Sequence, residues 1–167
     1  MIRNATYNDL DMIMSIVNKT ICIMKEEGNP QWNEDYPTRN VFQKDIDTNS
    51  LYVYVTQDDI TIGFICINDI EPYEYSDVIW SNNNAKEVTY LHRMAIDPDY
   101  RRQGVGTSLL EFAFTIAKES NSLFLRTDTN STNIGMNALF KELGYIKRGE
   151  IHLREVKEHF NCYDKEI

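Results

Sequence analysis

Residues Met94 to Thr107 read MAIDPDYRRQGVGT, a β-type apolar run that enters a short turn, then two arginines and a Gly-x-Gly step. An amphipathic helix starts at that step. These residue types at this spacing describe a cradle for an anion. Gly104 and Gly106 carry no Cβ, so the backbone can come close to a ligand. The start of the helix offers N–H groups without helical acceptors and the positive end of its dipole. Arg101 and Arg102 add fixed positive charge with donors matched to phosphate oxygens. The chemistry indicated is the binding of a ligand that carries phosphates.

Other glycine-loop chemistries fit less well. A P-loop requires Gly-x-x-x-x-Gly-Lys-Ser/Thr, and no lysine follows these glycines. A dinucleotide fingerprint needs a third glycine, where this chain has Leu109, and it usually opens its fold at the first βα turn. Here the motif lies well past the middle of the chain. Two glycines can also do no more than end a loop ahead of an ordinary helix. The arginines and the preceding strand weigh against that.

Hydrophobic spacing supplies the elements that must position this cradle. Ile2 to Ala5 reads as a short first strand. Asn8 or Asp9 caps a helix whose Leu10, Ile13, Met14, Val17, Ile21 and Met24 follow helical spacing, and Gly28, Asn29 and Pro30 stop it. Gln31 to Pro37 is an aromatic-rich loop, after which Thr38 caps a second helix reaching to Asp47. Leu51 to Val55 and Ile60 to Ile67 are β-rich runs joined as a hairpin across Gln57, Asp58 and Asp59. Residues 70–86 look irregular and polar apart from Val78 to Trp80. Val88 to Ile96 is the next strand, and its helix runs from Gly104 to Glu119 with Val105, Leu109, Phe112 and Ile116 on one stripe. Ser122 to Thr127 is a strand and Thr132 to Leu143 a helix ended by Gly144. Tyr145 to Gly149 and His159 to Asp164 are the last strands. Antiparallel strands followed by a strand–helix–strand crossover predict a mixed α/β (α+β) sheet with helices on both faces. The crossover from Val88 to Thr127 should place its two strands parallel.

With 167 residues, the chain is long enough for one well-buried core and too short for two typical domains, so residues 1–167 are expected to form a single domain. A hydrophobic fraction of 42% favours a globular chain. The net charge of −9 argues against nucleic-acid binding, which needs a basic face, and mildly favours cationic acceptors. No apolar stretch approaches membrane-spanning length, and MIRNATYNDL lacks the apolar segment of a signal peptide, so no membrane association and a cytoplasmic location are expected. Cys22, Cys66 and Cys162 are widely spaced and read as reduced thiols. Neither they nor His92, His152 and His159 show metal-ligand spacing.

With the cradle, the crossover and a second helix ending in Leu-Gly-Tyr, the sequence resembles the GNAT superfamily of acetyltransferases. Element order agrees over nearly the whole chain, and the specific part runs from Tyr90 to Tyr145. RRQGVG matches the family's Arg/Gln-x-x-Gly-x-Gly/Ala signature at Arg101, Gly104 and Gly106. NIGMNALFKELGY matches the later motif, in which an asparagine is followed eleven residues on by Gly-Phe or Gly-Tyr; here these are Asn133, Gly144 and Tyr145.

The resemblance implies a GNAT-like fold of six or seven strands flanked by about four helices, which binds acetyl-coenzyme A (acetyl-CoA) as cosubstrate. It implies that main-chain N–H groups across Arg102, Gln103, Gly104, Val105, Gly106 and Thr107 hold the pyrophosphate. Met94, Ala95 and Ile96 would flank the pantetheine arm where two strands splay apart, with Asn133 hydrogen-bonded to it and Phe140 beside the thioester. The Met94 N–H would polarise the thioester carbonyl. The implied reaction is N-acetylation of a primary amine by direct attack, which needs orientation, a base for the ammonium, donors at the oxyanion and an acid for the sulfur. The acceptor is a small-molecule or peptide amine, and a homodimer is compatible with the family.

One departure stands out. Many members carry a tyrosine four residues before the later glycine to protonate the thiolate, and this chain has Phe140. Either the thiolate leaves unassisted, or Tyr145 or Tyr163 serves, or the chain is a non-catalytic acyl-CoA-binding or sensing module. For the base, strand alternation would put Val88, Tyr90, His92, Met94 and Ile96 on one face, and His92 titrates in the neutral range. A histidine bonded to backbone is the plainer reading, and Glu87 is either a water-linked base or an edge charge. Trp32, Glu34, Asp35 and Tyr36 would form an acceptor loop in which aromatics beside carboxylates suit a cation, with Tyr90 on the same cleft. Trp32 and Tyr36 would equally serve to pin the loop. Tyr73 and Tyr75 are further candidates for that cleft.

Overall fold

The apolar positions of the helices and strands are satisfied together by one seven-stranded sheet, order β1-β2-β3-β4-β5-β7-β6, in a computed structural model that describes residues 1–167. In chain order the elements are β1 (Ile2–Asn4), α1 (Leu10–Glu26), α2 (Arg39–Asp47), β2 (Leu51–Val55), β3 (Thr61–Asn68) and β4 (Val88–Ile96). α3 (Val105–Glu119), β5 (Phe124–Asn130), α4 (Ile134–Glu142), β6 (Ile146–Ile151) and β7 (Phe160–Glu166) complete the chain. All neighbouring strands run antiparallel except β4 and β5, the parallel pair that a crossover through α3 requires.

One face of the sheet is covered by α1 and α2. Leu10, Ile13, Val17 and Ile21 of α1 recur at helical spacing and are buried with Phe42, Val53, Phe64 and Cys66. On the other face, α3 and α4 cover Ile65, Leu91, Leu125 and Tyr163. The buried stripe of α3 is Val105, Leu109, Leu110, Ala113 and Ala117, rotated from the expected one. Phe112 and Ile116 lie at its margin, where Phe112 meets the ring of Tyr52 edge-on at 5.1 Å. Small residues at positions 113 and 117 let the helix sit close to the sheet, which hydrophobicity alone does not reveal.

No α-helix covers β5 and β7 on the α1 side. The irregular 70–86 connection does so instead, burying Tyr75, Val78 and Trp80 against Val88, Tyr90, Phe124, Phe160 and Cys162. Arg126, almost fully buried on β5, lies 4.5 Å above the Trp80 ring and donates to the Asn82 carbonyl at 2.7 Å. Burying a guanidinium is tolerable because the ring face and the carbonyl replace part of its hydration. No helix is long and apolar enough to cross a membrane.

Candidate active site

The turn between β4 and α3 has the geometry of a cradle. Gly104 caps α3 in the left-handed region at φ +79°, and Arg102 is left-handed at +60°. The first main-chain bond into the helix runs from Ser108 N–H to Gly104 O, so the N–H groups ahead of it have no helical acceptor. Arg101 and Arg102 are exposed beside them.

The two glycines do different work. A Cβ on Gly104 would meet nothing within 4 Å, so this glycine supplies the backbone conformation and leaves its approach open. A Cβ on Gly106 would lie 3.0 Å from Ile96 Cδ1 and 3.2 Å from Leu139 Cδ2. Gly106 therefore lets α3 approach β4 and α4 closely, a packing role beside the one expected of it toward a ligand. Val105 is likewise buried in the core.

From the cradle a wedge opens between β4 and β5. Their parallel pairing covers only Val88–Tyr90 against Phe124–Arg126, and Thr127 Oγ1 closes it by donating to Leu91 O at 3.1 Å. Beyond that point β4 stays paired to β3 as far as Ile96, while β5 stays paired to β7 as far as Asn130. The two strands diverge, leaving the edge of β4 that faces β5 unpaired. A cavity of about 430 Å³ fills the divergence, lined by Leu91, Met94, Leu110, Met136, Phe140 and Asn133 at one end. Trp32, Tyr36, His92, Glu74, Asp128 and Arg154 line the rest.

β4 breaks its alternation inside this wedge. Arg93 is left-handed at φ +42°, and the pairing jumps from Cys66–His92 to Phe64–Ala95, so Arg93 and Met94 stand opposite Ile65 alone. This bulge swaps the faces. Val88 and Tyr90 pack with Tyr75 on one side, whereas Met94 and Ile96 pack with α3 on the other. The expectation that all five positions share a face is corrected accordingly. Ala95 turns into the α1 core. Tyr90, expected at the substrate, is buried in the cluster beneath Tyr75 and does not line the cavity. Arg93 points toward α2, donating through Nε and Nη2 to the Asp45 carboxylate at 2.8 Å each and through Nη1 to the Tyr36 hydroxyl at 3.3 Å.

The carboxylate best placed for proton transfer was not among the candidates. Asp128 lies on β5, lines the cavity, and accepts a 2.7 Å hydrogen bond from the buried Tyr75 hydroxyl. Burial pushes its carboxyl up to about 6, against the pull of the Tyr75 bond and the Arg154 charge. The strand expected over Ser122 to Thr127 instead runs from Phe124 to Asn130, through Asp and Asn residues that disfavour strands. A lone acid in a strand run was the available signal.

His92 lines the same cavity. Its Nε2 lies 3.2 Å from Asn68 Oδ1, which also accepts from Ile70 N–H, so the imidazole must donate there. Burial, reinforced by the Arg93 charge, holds it down to about 4, far from the neutral range expected of it. Glu87 is exposed at the start of β4 and is an edge charge.

Phe140 is buried, lines the cavity, and packs 5.3 Å from both Tyr145 and Tyr163. Neither tyrosine replaces the missing hydroxyl. Tyr163 donates to Asn137 Oδ1 at 2.7 Å, and Tyr145 lines a separate cleft between α3 and the end of α4. Asn133 caps α4 by accepting from Met136 N–H and donates Nδ2 to Gln31 Oε1 at 3.0 Å. That Gln31 oxygen also accepts from Thr129 Oγ1 and Asn130 N–H, which ties the α1–α2 loop to the end of β5.

The acceptor loop divides. Trp32 is buried, stacks on Phe64 and lines the cavity, as does half-buried Tyr36. Glu34 pairs with Lys25 on the surface, and Asp35 is exposed, so the expected loop carboxylates lie away from the cavity. Tyr73 points to solvent.

Comparison with known proteins places these features in context. The sequence profile of the acetyltransferase (GNAT) family matches residues 18–145. The uncharacterized N-acetyltransferase YesJ of Bacillus subtilis is 21% identical over 141 residues, covering 84% of this chain and 78% of that protein. A ribosomal-protein-alanine N-acetyltransferase of Escherichia coli is 34% identical over 55 residues, covering 33% of this chain and 37% of the relative. The crystal structure of a GNAT-family acetyltransferase from Streptococcus agalactiae superposes with a TM-score of 0.85, covering 100% of this chain and 95% of that one at 24% identity.

Proposed function

This chain belongs to the acetyltransferase (GNAT) family, a membership that supports N-acetyltransferase activity in general, and we propose that it moves acetyl from acetyl-CoA to a primary amine by direct attack. The observation that carries this reading is the early end of β4–β5 pairing after Tyr90, which opens a wedge between the Gly104 cradle and Asp128. The residues present fit the cosubstrate. N–H groups from Arg102 to Thr107 would meet the diphosphate, with Arg101 and Arg102 beside it. The unpaired edge of β4 from Leu91 to Ile96 would pair with the amides of an extended arm, as a missing strand would.

Acetyl-CoA supplies an activated carbonyl and a thiolate able to leave. Asp128 is ionised above about pH 6 and takes the ammonium proton, directly or through water. Tyr75 fixes the carboxylate by its hydroxyl bond. Met94, directly after the bulge, contributes the N–H at the carbonyl oxygen. His92 stays neutral and lines the acceptor side. No residue on α4 provides an acid, so the thiolate leaves without one from that helix.

Phe140 favours a second reading, a non-catalytic acyl-CoA sensor. Thiol release from acetyl-CoA with a panel of polyamines, amino acids, aminoglycosides and peptides separates the two. Acceptor-dependent release is expected. Tight coenzyme binding without it would leave the sensor. Gly104→Glu adds a Cβ at φ +79° and a negative charge at the cradle, so coenzyme affinity by calorimetry should fall at least about tenfold. Unchanged affinity would exclude this turn as the diphosphate site.

A further inference from the structure

The cavity holds one guanidinium that the fold leaves with donors to spare. Arg154 sits in the β6–β7 connection on left-handed backbone, φ +50°, followed by Glu155 at +59°. Its guanidinium lies 4.1 Å over the Tyr36 ring and 5.6 Å from the Phe160 ring, and Nη2 donates to the Gln31 carbonyl at 2.9 Å. Two aromatic faces and one main-chain acceptor thus hold the head group in place. Nε and Nη1 have no acceptor in the protein. The contrast with Arg93 is direct, because Asp45 and Tyr36 take up all three of its nitrogens.

Arg154 lines the same cavity as Asp128, and its charge acts on that carboxylate. The remaining titratable groups on the wall are Glu74, which has no ion-pair partner, neutral His92, the paired Asp45 and Arg93, and Tyr36, whose hydroxyl accepts from Arg93. An acceptor amine that approaches Asp128 therefore has a positioned cation within the same enclosure. We infer that the acceptor is a small amine that carries a carboxylate, an amino-acid-like molecule whose carboxylate pairs with Nε and Nη1 of Arg154 while its amine faces Asp128. With Asp128 and Glu74 against Arg154, the free groups sum to a negative excess. A basic amino acid suits that balance better than an acidic one. This inference rests on the transfer reading above for the role of Asp128.

The probes are L-lysine, L-lysinamide, cadaverine and L-glutamate, titrated calorimetrically into the protein with coenzyme A and assayed as acceptors by thiol release. L-lysine should exceed L-lysinamide and cadaverine by about tenfold or more in affinity and kcat/KM, the scale of one charge-assisted pair, and should also exceed L-glutamate. Arg154→Gln should raise the L-lysine KM about tenfold relative to that of cadaverine, while any change in kcat through loss of its charge beside Asp128 is shared by both acceptors; Arg154→Lys should recover part of the L-lysine-specific loss. Because Arg154 is exposed, its variants are checked for native unfolding behaviour, and the acceptor ratios are internal to each variant. Equal use of L-lysine and cadaverine, or an equal loss for both in Arg154→Gln, would overturn the inference. Binding of L-lysine that depends on Arg154, with no thiol release from any amine, would support the carboxylate site while refuting transfer.

Discussion

Asp128→Asn preserves the size of the side chain and an acceptor for the Tyr75 hydroxyl, while removing the charge and exchanging the second acceptor oxygen for an amide donor. In the native protein that carboxyl rises from the ordinary 3.8 to about 6, chiefly through burial. At about 1.36 kcal/mol per tenfold change in proton affinity, keeping it ionised costs about 3 kcal/mol. Solvent entering the open cavity screens part of this, leaving about 1–2 kcal/mol. Because the folded-state value is raised, the folded chain binds this proton more tightly than the unfolded chain does. The penalty is absent below pH 3.8, grows up to about pH 6 and is complete above it. Asparagine carries no such penalty. The variant should therefore be about 1–2 kcal/mol more stable than wild type at pH 7.5, with the gain shrinking below about pH 6. Its kcat/KM should fall about 10²–10⁴-fold, the usual reach of a general base, and the acid limb near pH 6 should vanish. Denaturant unfolding at pH 7.5 and 5, beside thiol release from pH 5 to 9, reads both effects. A variant that keeps wild-type turnover, or is less stable at pH 7.5, would refute the assignment of Asp128 as a buried base.

Two further substitutions examine what surrounds that carboxylate. Tyr75→Phe deletes the 2.7 Å donor that favours ionised Asp128, so the acid limb of the pH–rate profile should move upward from about 6; an unmoved limb would separate Tyr75 from catalysis. Asp45→Ala leaves the largely buried Arg93 guanidinium without its bidentate partner and should destabilise the protein by about 3–5 kcal/mol, seen as a lower denaturant midpoint. A loss under about 1 kcal/mol would show that the bulge holds without this pair.

Much of the fold was legible because burial imposes a period on the sequence. The bounds of β2 and β4 agree with their apolar runs, and Thr38 and Gly104 stand at the helix starts expected of them. Errors fell where a local rule was overridden. Strict alternation along β4 fails at Arg93, since one left-handed residue there moves Met94 and Ile96 to the face opposite Val88 and Tyr90. β5 outran its propensity because β7 pairs with it up to Asn130, supplying hydrogen bonds that offset the poor strand preference of Asp128 and Asn130.

The sequence alone located the turn proposed to hold phosphate, because its glycines, arginines and helix start are neighbours along the chain and local geometry fixes them. Only the tertiary structure decided which acid, which hydroxyl and which cation meet at the cavity proposed for the acceptor. Tyr75, Asp128 and Arg154 come from three distant segments, and their meeting depends on where β4 and β5 part and on how the 70–86 connection packs over β5. Burial then set the proton affinities. His92, the expected base, was driven down to about 4, and Asp128 was raised into the range where it can act.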